Sequence, residues 1–133
     1  MKNILVTGSA GFIGASLVLR LLEGREPVRI VGLDNLNDYY DPSLKEYRLR
    51  LIDEKVAAKA ASSASVPASS YTFIKGSIAD KSLVDRLFAE NGFDIVVNLA
   101  AQAGVRYSIE HPDVYIESNV IGFYNILAAG RLA

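Results

Sequence analysis

The sequence predicts an α/β fold: a doubly wound parallel sheet, truncated at about four strands and four helices. Three observations carry that reading. Four short apolar runs alternate with segments of helical period, and strands alternating with helices imply parallel pairing through right-handed crossovers. The runs are almost continuously apolar, as strands covered on both faces are. A glycine-rich turn joins the first run to the first helical segment.

Each element has its own signal. Lys2 to Thr7 is a strand around Ile4, Leu5 and Val6. From Gly11 the period changes: Phe12, Ile13, Leu17, Val18, Leu21 and Leu22 recur at helical spacing, and Gly24 stops the helix. Val28 to Leu33 is the second strand, ending at Asp34. A polar loop leads to Ser43, a cap for a helix through Leu44, Tyr47 and Leu51 as far as Val56. Ala57 to Ser70 holds eleven Ala or Ser among fourteen residues, read as the frayed end of that helix and a mobile loop without chemistry. Tyr71 to Ile74 is the third strand. Asp80 caps a third helix that turns Leu83, Val84, Leu87 and Phe88 inward and ends at Asn91-Gly92. Asp94 to Ala100 is the fourth strand. A loop from Ala101 to His111 precedes Pro112, well placed in the first turn of a last helix that runs to about Leu132.

Composition bounds the function. The 133 residues make one domain, half of them hydrophobic and 22% charged. A net charge of −1 offers no electrostatic footprint for nucleic acid. Without cysteine there is no disulfide or thiolate metal site, and one histidine excludes a His-rich one. No apolar run reaches 18 residues, so no membrane partner is expected. The chain enters its glycine turn too early for a signal peptide. A cytoplasmic location is expected.

The chemistry sits in Thr7-Gly8-Ser9-Ala10-Gly11-Phe12-Ile13-Gly14. Glycines at 8 and 11 let backbone N–H groups and a helix N-terminus approach a pyrophosphate, and Gly14 lets the helix pack close to the strand. Asp34 ends the second strand 20 residues after Gly14, where a carboxylate accepts hydrogen bonds from an adenosine ribose. That charge repels a 2′-phosphate, and no arginine follows within a few residues. The expected cofactor is NAD rather than NADP.

The glycine turn resembles that of the extended short-chain dehydrogenase/reductases. Three further stretches narrow the likeness: Asp34 to Asp41, Val97 to Ser108 and Ser118 to Leu127. Together they resemble the nucleotide-sugar epimerases and dehydratases, and among these the UDP-glucuronate 4-epimerases. The resemblance covers the chain except its Ala/Ser stretch and implies a Rossmann-type NAD-binding part. By that resemblance Gly8, Gly11, Phe12, Ile13 and Gly14 face the pyrophosphate. Asp34 and Asn35 hold the adenosine ribose, and Ile78 lies beside the adenine. Leu99, Ala100, Ala101 and Gln102 line the nicotinamide half, while Asn119 helps order the site. Arg106 and Ser108 are candidates to approach the sugar nucleotide, with a solvated loop arginine the competing reading of Arg106. One position departs from the pattern. The family has Gly-Asp-Ile after strand three, and Gly76-Ser77-Ile78 stands here. Ser77 makes a weaker or water-mediated contact to the adenine.

The resemblance also implies what these residues do not contain. The family oxidises a UDP-sugar transiently at C4, using a Tyr-x-x-x-Lys pair on a helix beyond a fifth strand. Tyr71-Thr72-Phe73-Ile74-Lys75 matches those letters but falls where strand three belongs. On a strand its ends lie about 13 Å apart. No catalytic residue is therefore assigned, and the chain on its own is expected to be inactive. His111 is read as an ordinary loop or helix-start residue. The last helix, near 112–131, is apolar on more than one face. One face covers the sheet. The other meets a second copy in a homodimer or the rest of the same protein.

Overall fold

A computed structural model describes residues 1–38, 41–62 and 68–132. Four strands, β1 (Lys2–Thr7), β2 (Val28–Asp34), β3 (Ser70–Lys75) and β4 (Ile95–Asn98), form one parallel sheet in the order β3-β2-β1-β4. β2 and β3 wind to one side of β1, and β4 lies on the other. The chain therefore reverses its winding at the carboxyl ends of β1 and β4, the switch point at which such sheets bind ligands.

Alternation along the strands builds two cores. Ile4, Val6 and Ile30 face α1 (Phe12–Glu23), packing on Ala15, Val18 and Leu22. Ile52 of α2 (Pro42–Ser62) joins that side. Leu5, Val31 and Leu33 point the other way, to Leu83, Val84, Leu87 and Phe88 of α3 (Lys81–Glu90). Ile126 and Ala129 of the last helix complete this second core. Helices on both faces bury the strands from two sides, hence their continuous apolarity.

The expected boundaries hold for β1, α1, β2 and α3, and Asp80 caps α3 by accepting the Leu83 N–H at 3.2 Å. Elsewhere the structure corrects them. Asp41, not Ser43, starts α2: its carboxylate accepts the Ser43 N–H at 3.0 Å, and Pro42 takes the first helical position. α2 continues past Val56 to Ser62, because alanine is the best helix former and four of the six residues from Ala57 to Ser62 are alanine. The mobile-loop reading falls partly outside the described residues. Tyr47 and Leu44 on this helix are exposed.

β4 ends at Asn98 instead of Ala100 because a side chain takes over the ladder. Thr7, fully buried, accepts the N–H groups of Leu99 and Ala100 on its hydroxyl at 3.0 and 3.1 Å. The expected loop 101–111 contains a short helix, α4 (Val105–Glu110). The last helix is not uniform. It comprises α5 (Pro112–Tyr115), a π-helical segment (Ile116–Gly122) and α6 (Phe123–Leu132). Among the described residues, six α-helices and this π segment thus replace the four helices expected.

Candidate functional site

A cleft of about 410 Å³ opens at the carboxyl edge of the sheet. Its floor is the glycine turn. The turn hangs from β2, whose Leu33 carbonyl accepts the Gly8 N–H at 2.7 Å. Gly8 has φ +67°, and a Cβ there would stand 2.8 Å from the Leu99 backbone. Only glycine meets both demands cheaply. Gly14 lies buried directly beneath, where a Cβ would run into the Gly8 carbonyl oxygen. α1 starts at Phe12, and its first intrahelical bond runs from the Ala15 N–H to the Gly11 carbonyl. Phe12 and Ile13 stand ahead of that bond, where a helix leaves its N–H groups without an intrahelical partner. Both residues are exposed. This is a helix N-terminus laid open for an anion.

Asp34 occupies the next wall and is 5% exposed. Its carboxylate accepts the Ala10 N–H at 3.1 Å on one oxygen and the Leu36 N–H at 2.8 Å on the other. It thereby joins the glycine turn to the loop after β2. Asn35, Ser77 and Ile78 stand beside it in the same cleft. The Ser77 hydroxyl accepts the Ala79 N–H at 3.1 Å, closing a small turn. Leu99, Ala100, Ala101 and Gln102 line the opposite end.

The structure thus brings Gly8, Gly11, Phe12, Asp34, Asn35, Ser77, Ile78 and residues 99–102 around one cavity. The other expected residues lie outside its lining. Ile13 is exposed on α1, and Gly14 supports the turn from below. Asn119 acts on the wall from behind: it accepts the Gln102 N–H at 2.8 Å and donates to the Gln102 carbonyl at 3.1 Å. Arg106 is exposed on α4, and the Ser108 hydroxyl donates to the Val105 carbonyl within that helix.

Tyr71 and Lys75 both lie on β3, so the rejected letter match is a strand and not a helical pair. Burial pushes the Tyr71 phenol up to about 12, outweighing its hydrogen bond to the Ser9 hydroxyl at 3.1 Å. A catalytic base needs the opposite shift. His111 sits between α4 and α5 with its ring 4.5 Å from that of Tyr107. Among the described residues no cluster of three His, Cys, Asp or Glu could hold a metal.

Sequence reasoning left nine lining residues unassigned, Leu44, Lys45, Arg48 and Ser118 among them. The first three come from α2. Lys45 makes an ion pair with Asp34 at 3.0 Å, and Arg48 donates to the Ala10 carbonyl at 3.2 Å. The i, i+3 spacing of the two cations puts them on one helix face. Only the tertiary fold aims that face at the cleft.

The sequence signature of the NAD dependent epimerase/dehydratase family matches residues 4–133. The chain belongs to that family. Its relatives include Protein CapI of Staphylococcus aureus, 42% identical over 97% of this chain, and UDP-glucuronate 4-epimerase 3 of Arabidopsis thaliana, 42% identical over 98%. Among solved structures it is similar to the UDP-glucose 4-epimerase of Thermus thermophilus in complex with NAD, with a TM-score of 0.69 and 32% identity over 98% of the chain. The chain spans about a third of these proteins: 34% of Protein CapI, 27% of the plant epimerase and 34% of the Thermus enzyme. Among the described residues no helix is long and apolar enough to cross a membrane.

Proposed function

We propose that this chain is the NAD-binding part of a cytoplasmic nucleotide-sugar 4-epimerase, and that the sugar nucleotide is UDP-glucuronate. One observation carries the cofactor half of the reading. The open N-terminus of α1 and the Asp34 carboxylate share one cleft at the switch point of the sheet. A dinucleotide presents the matching groups, an anionic diphosphate next to a ribose diol. Gly8, Gly11, Phe12 and Ile13 hold the diphosphate above the support of Gly14. Asp34 and Asn35 hold the ribose, with Ser77 and Ile78 at the adenine. Leu99 to Gln102 meet the nicotinamide, their backbone held by Thr7 and Asn119.

When bound, the cofactor supplies a hydride acceptor and donor at the sugar C4. This chain's residues orient it and exclude water from its deeper edge. Arg106 and Ser108, on α4 beyond the nicotinamide end, are assigned to the sugar side. The residues that move the C4 hydroxyl proton lie outside these 133. The plant relative's name supports UDP-glucuronate. Exposed apolar side chains along the last helix, Ile116, Val120, Tyr124 and Leu127 among them, support a homodimer through that helix.

The test is product analysis on the whole protein carrying this chain, supplied with NAD⁺ and UDP-glucuronate. The C4 epimer is expected. A dehydrated keto sugar from a sugar nucleotide would move the protein to the 4,6-dehydratases. Tight NAD⁺ binding with no turnover of any sugar nucleotide would leave a dinucleotide-binding module.

A further inference from the structure

We infer that Tyr71 is a positioning residue: from the edge strand β3 its hydroxyl reaches across Gly32 and fixes Ser9, so that the open N-terminus of α1 is aimed at a diphosphate. The inference rests on the dinucleotide reading of the cleft, whose lining does not include Tyr71. Tyr71 is in register with Ile30 of β2, and its ring packs on the α1-side core. Its hydroxyl donates to the Ser9 hydroxyl at 3.1 Å. β2 lies between β3 and β1, so the side chain must cross it to reach the turn after β1.

Gly32 makes the crossing possible. A Cβ there would run into the Tyr71 oxygen and stand 2.6 Å from Ser9 Oγ. The backbone at Gly32 has no positive φ. Its conformation therefore makes no demand for glycine, and the close approach of the two hydroxyls does. A glycine inside a strand gives up packing and chain entropy. Here it opens a passage for one side chain.

Ser9 depends on that hold. It is fully buried, and a buried hydroxyl left without a partner is costly. Its own N–H lies 3.4 Å from the Leu33 carbonyl, whereas the Gly8 N–H meets the same oxygen at 2.7 Å. The Ala10 N–H is tied to Asp34 at 3.1 Å. β2 thus fixes Gly8 and Ala10, and β3 fixes Ser9 between them. The Gly8 carbonyl accepts the Gly11 N–H at 3.1 Å, so a tilt at Ser9 passes to Gly11 and to the start of α1. Burial holds the phenol at about 12, and the donor keeps its proton across the neutral range. Asn35 and Ile78, by contrast, are carried by the segments after β2 and β3 rather than by the turn.

The experiment measures the dissociation constants of NAD⁺, ADP and adenosine for the whole protein carrying this chain, for Tyr71→Phe, for Ser9→Ala and for the double variant. Tyr71→Phe removes one oxygen and keeps the ring in its core. Thermal unfolding reports whether each variant is folded. Tyr71→Phe is expected to weaken NAD⁺ and ADP alike by about tenfold, the scale of one hydrogen bond, and to leave adenosine within about twofold. Ser9→Ala should give the same pattern, and the double variant no further loss, because both changes remove one bond. A folded Tyr71→Phe that binds NAD⁺ and ADP as the unaltered protein does would overturn the inference. So would an equal loss for adenosine, which would make Tyr71 a general support of the sheet. Should Tyr71→Phe fail to fold, Ser9→Ala decides by the same two criteria. Failure of the unaltered protein to bind either NAD⁺ or ADP would instead sink the cofactor reading, and the inference with it.

Discussion

At the scale of single residues, Gly8, Gly14 and Tyr71 make the sharpest expectations. Gly14→Ala forces a methyl into the Gly8 carbonyl. The turn must shift, at a cost of about 1–3 kcal/mol for overpacking. Calorimetric titration should then show NAD⁺ affinity falling together with stability. Asp34→Ala, by contrast, removes the proposed ribose acceptor and should cost at least tenfold in NAD⁺ affinity. Unchanged affinity there would remove Asp34 from the ribose assignment. Tyr71 gives a pH-dependent signature. Its phenol rises from the ordinary value of 10 to about 12 through burial. Folding therefore favours the neutral form. That contribution is complete below pH 10 and is lost as pH climbs toward 12. Absorbance titration of the seven tyrosines should show one ionising late, and Tyr71→Phe should delete that late step. Much at this scale was readable from the chain. The glycine turn and Asp34 announce themselves by their spacing. Tyr71 does not, because its partner Ser9 is 62 residues away.

Among the elements, the last helix departs furthest from its sequence pattern. Its apolar residues cover more than one face, so periodicity could not reveal a rephased turn. One anchor immediately precedes the π segment and a second lies within it. Tyr115 donates its hydroxyl to the Ala103 carbonyl at 2.7 Å, and Asn119 grips the Gln102 peptide from both sides. Further along, buried Asn125 donates to the Ile78 carbonyl at 2.9 Å. One helical rod thus touches the cleft wall at both Gln102 and Ile78. Asn119→Ala should release Gln102. Hydrogen exchange at the Gln102 amide should accelerate about tenfold, the equivalent of one hydrogen bond of roughly 1.4 kcal/mol. Exchange in the sheet should stay as it was. α2 teaches the complementary lesson. Its weak apolar pattern concealed that its Lys45–Arg48 face closes the cleft.

Across the whole molecule, the sheet divides the core into two clusters, and the division is measurable. Leu22 lies on the α1 side and Leu87 on the α3 side, both buried. Each replaced by alanine should cost about 2–5 kcal/mol. Because the sheet stands between them, the double variant should be additive within about 0.5 kcal/mol in chemical denaturation. Both outer strands, β3 and β4, present an edge, and Ile95 on β4 is 41% exposed. The sequence by itself determined the alternation of strands and helices, the parallel sheet and the dinucleotide turn. These depend on neighbours within one strand, one turn or one helix, so local order records them. Only the tertiary structure decided where β4 lets go of the ladder, how the last helix is rephased and which cations flank Asp34. The physical reason is separation along the chain. Thr7 meets the Leu99 amide 92 residues on, Asn119 reaches back 17 residues to Gln102, and Lys45 on α2 finds Asp34 eleven residues back. Packing sets those contacts, and no local period announces them.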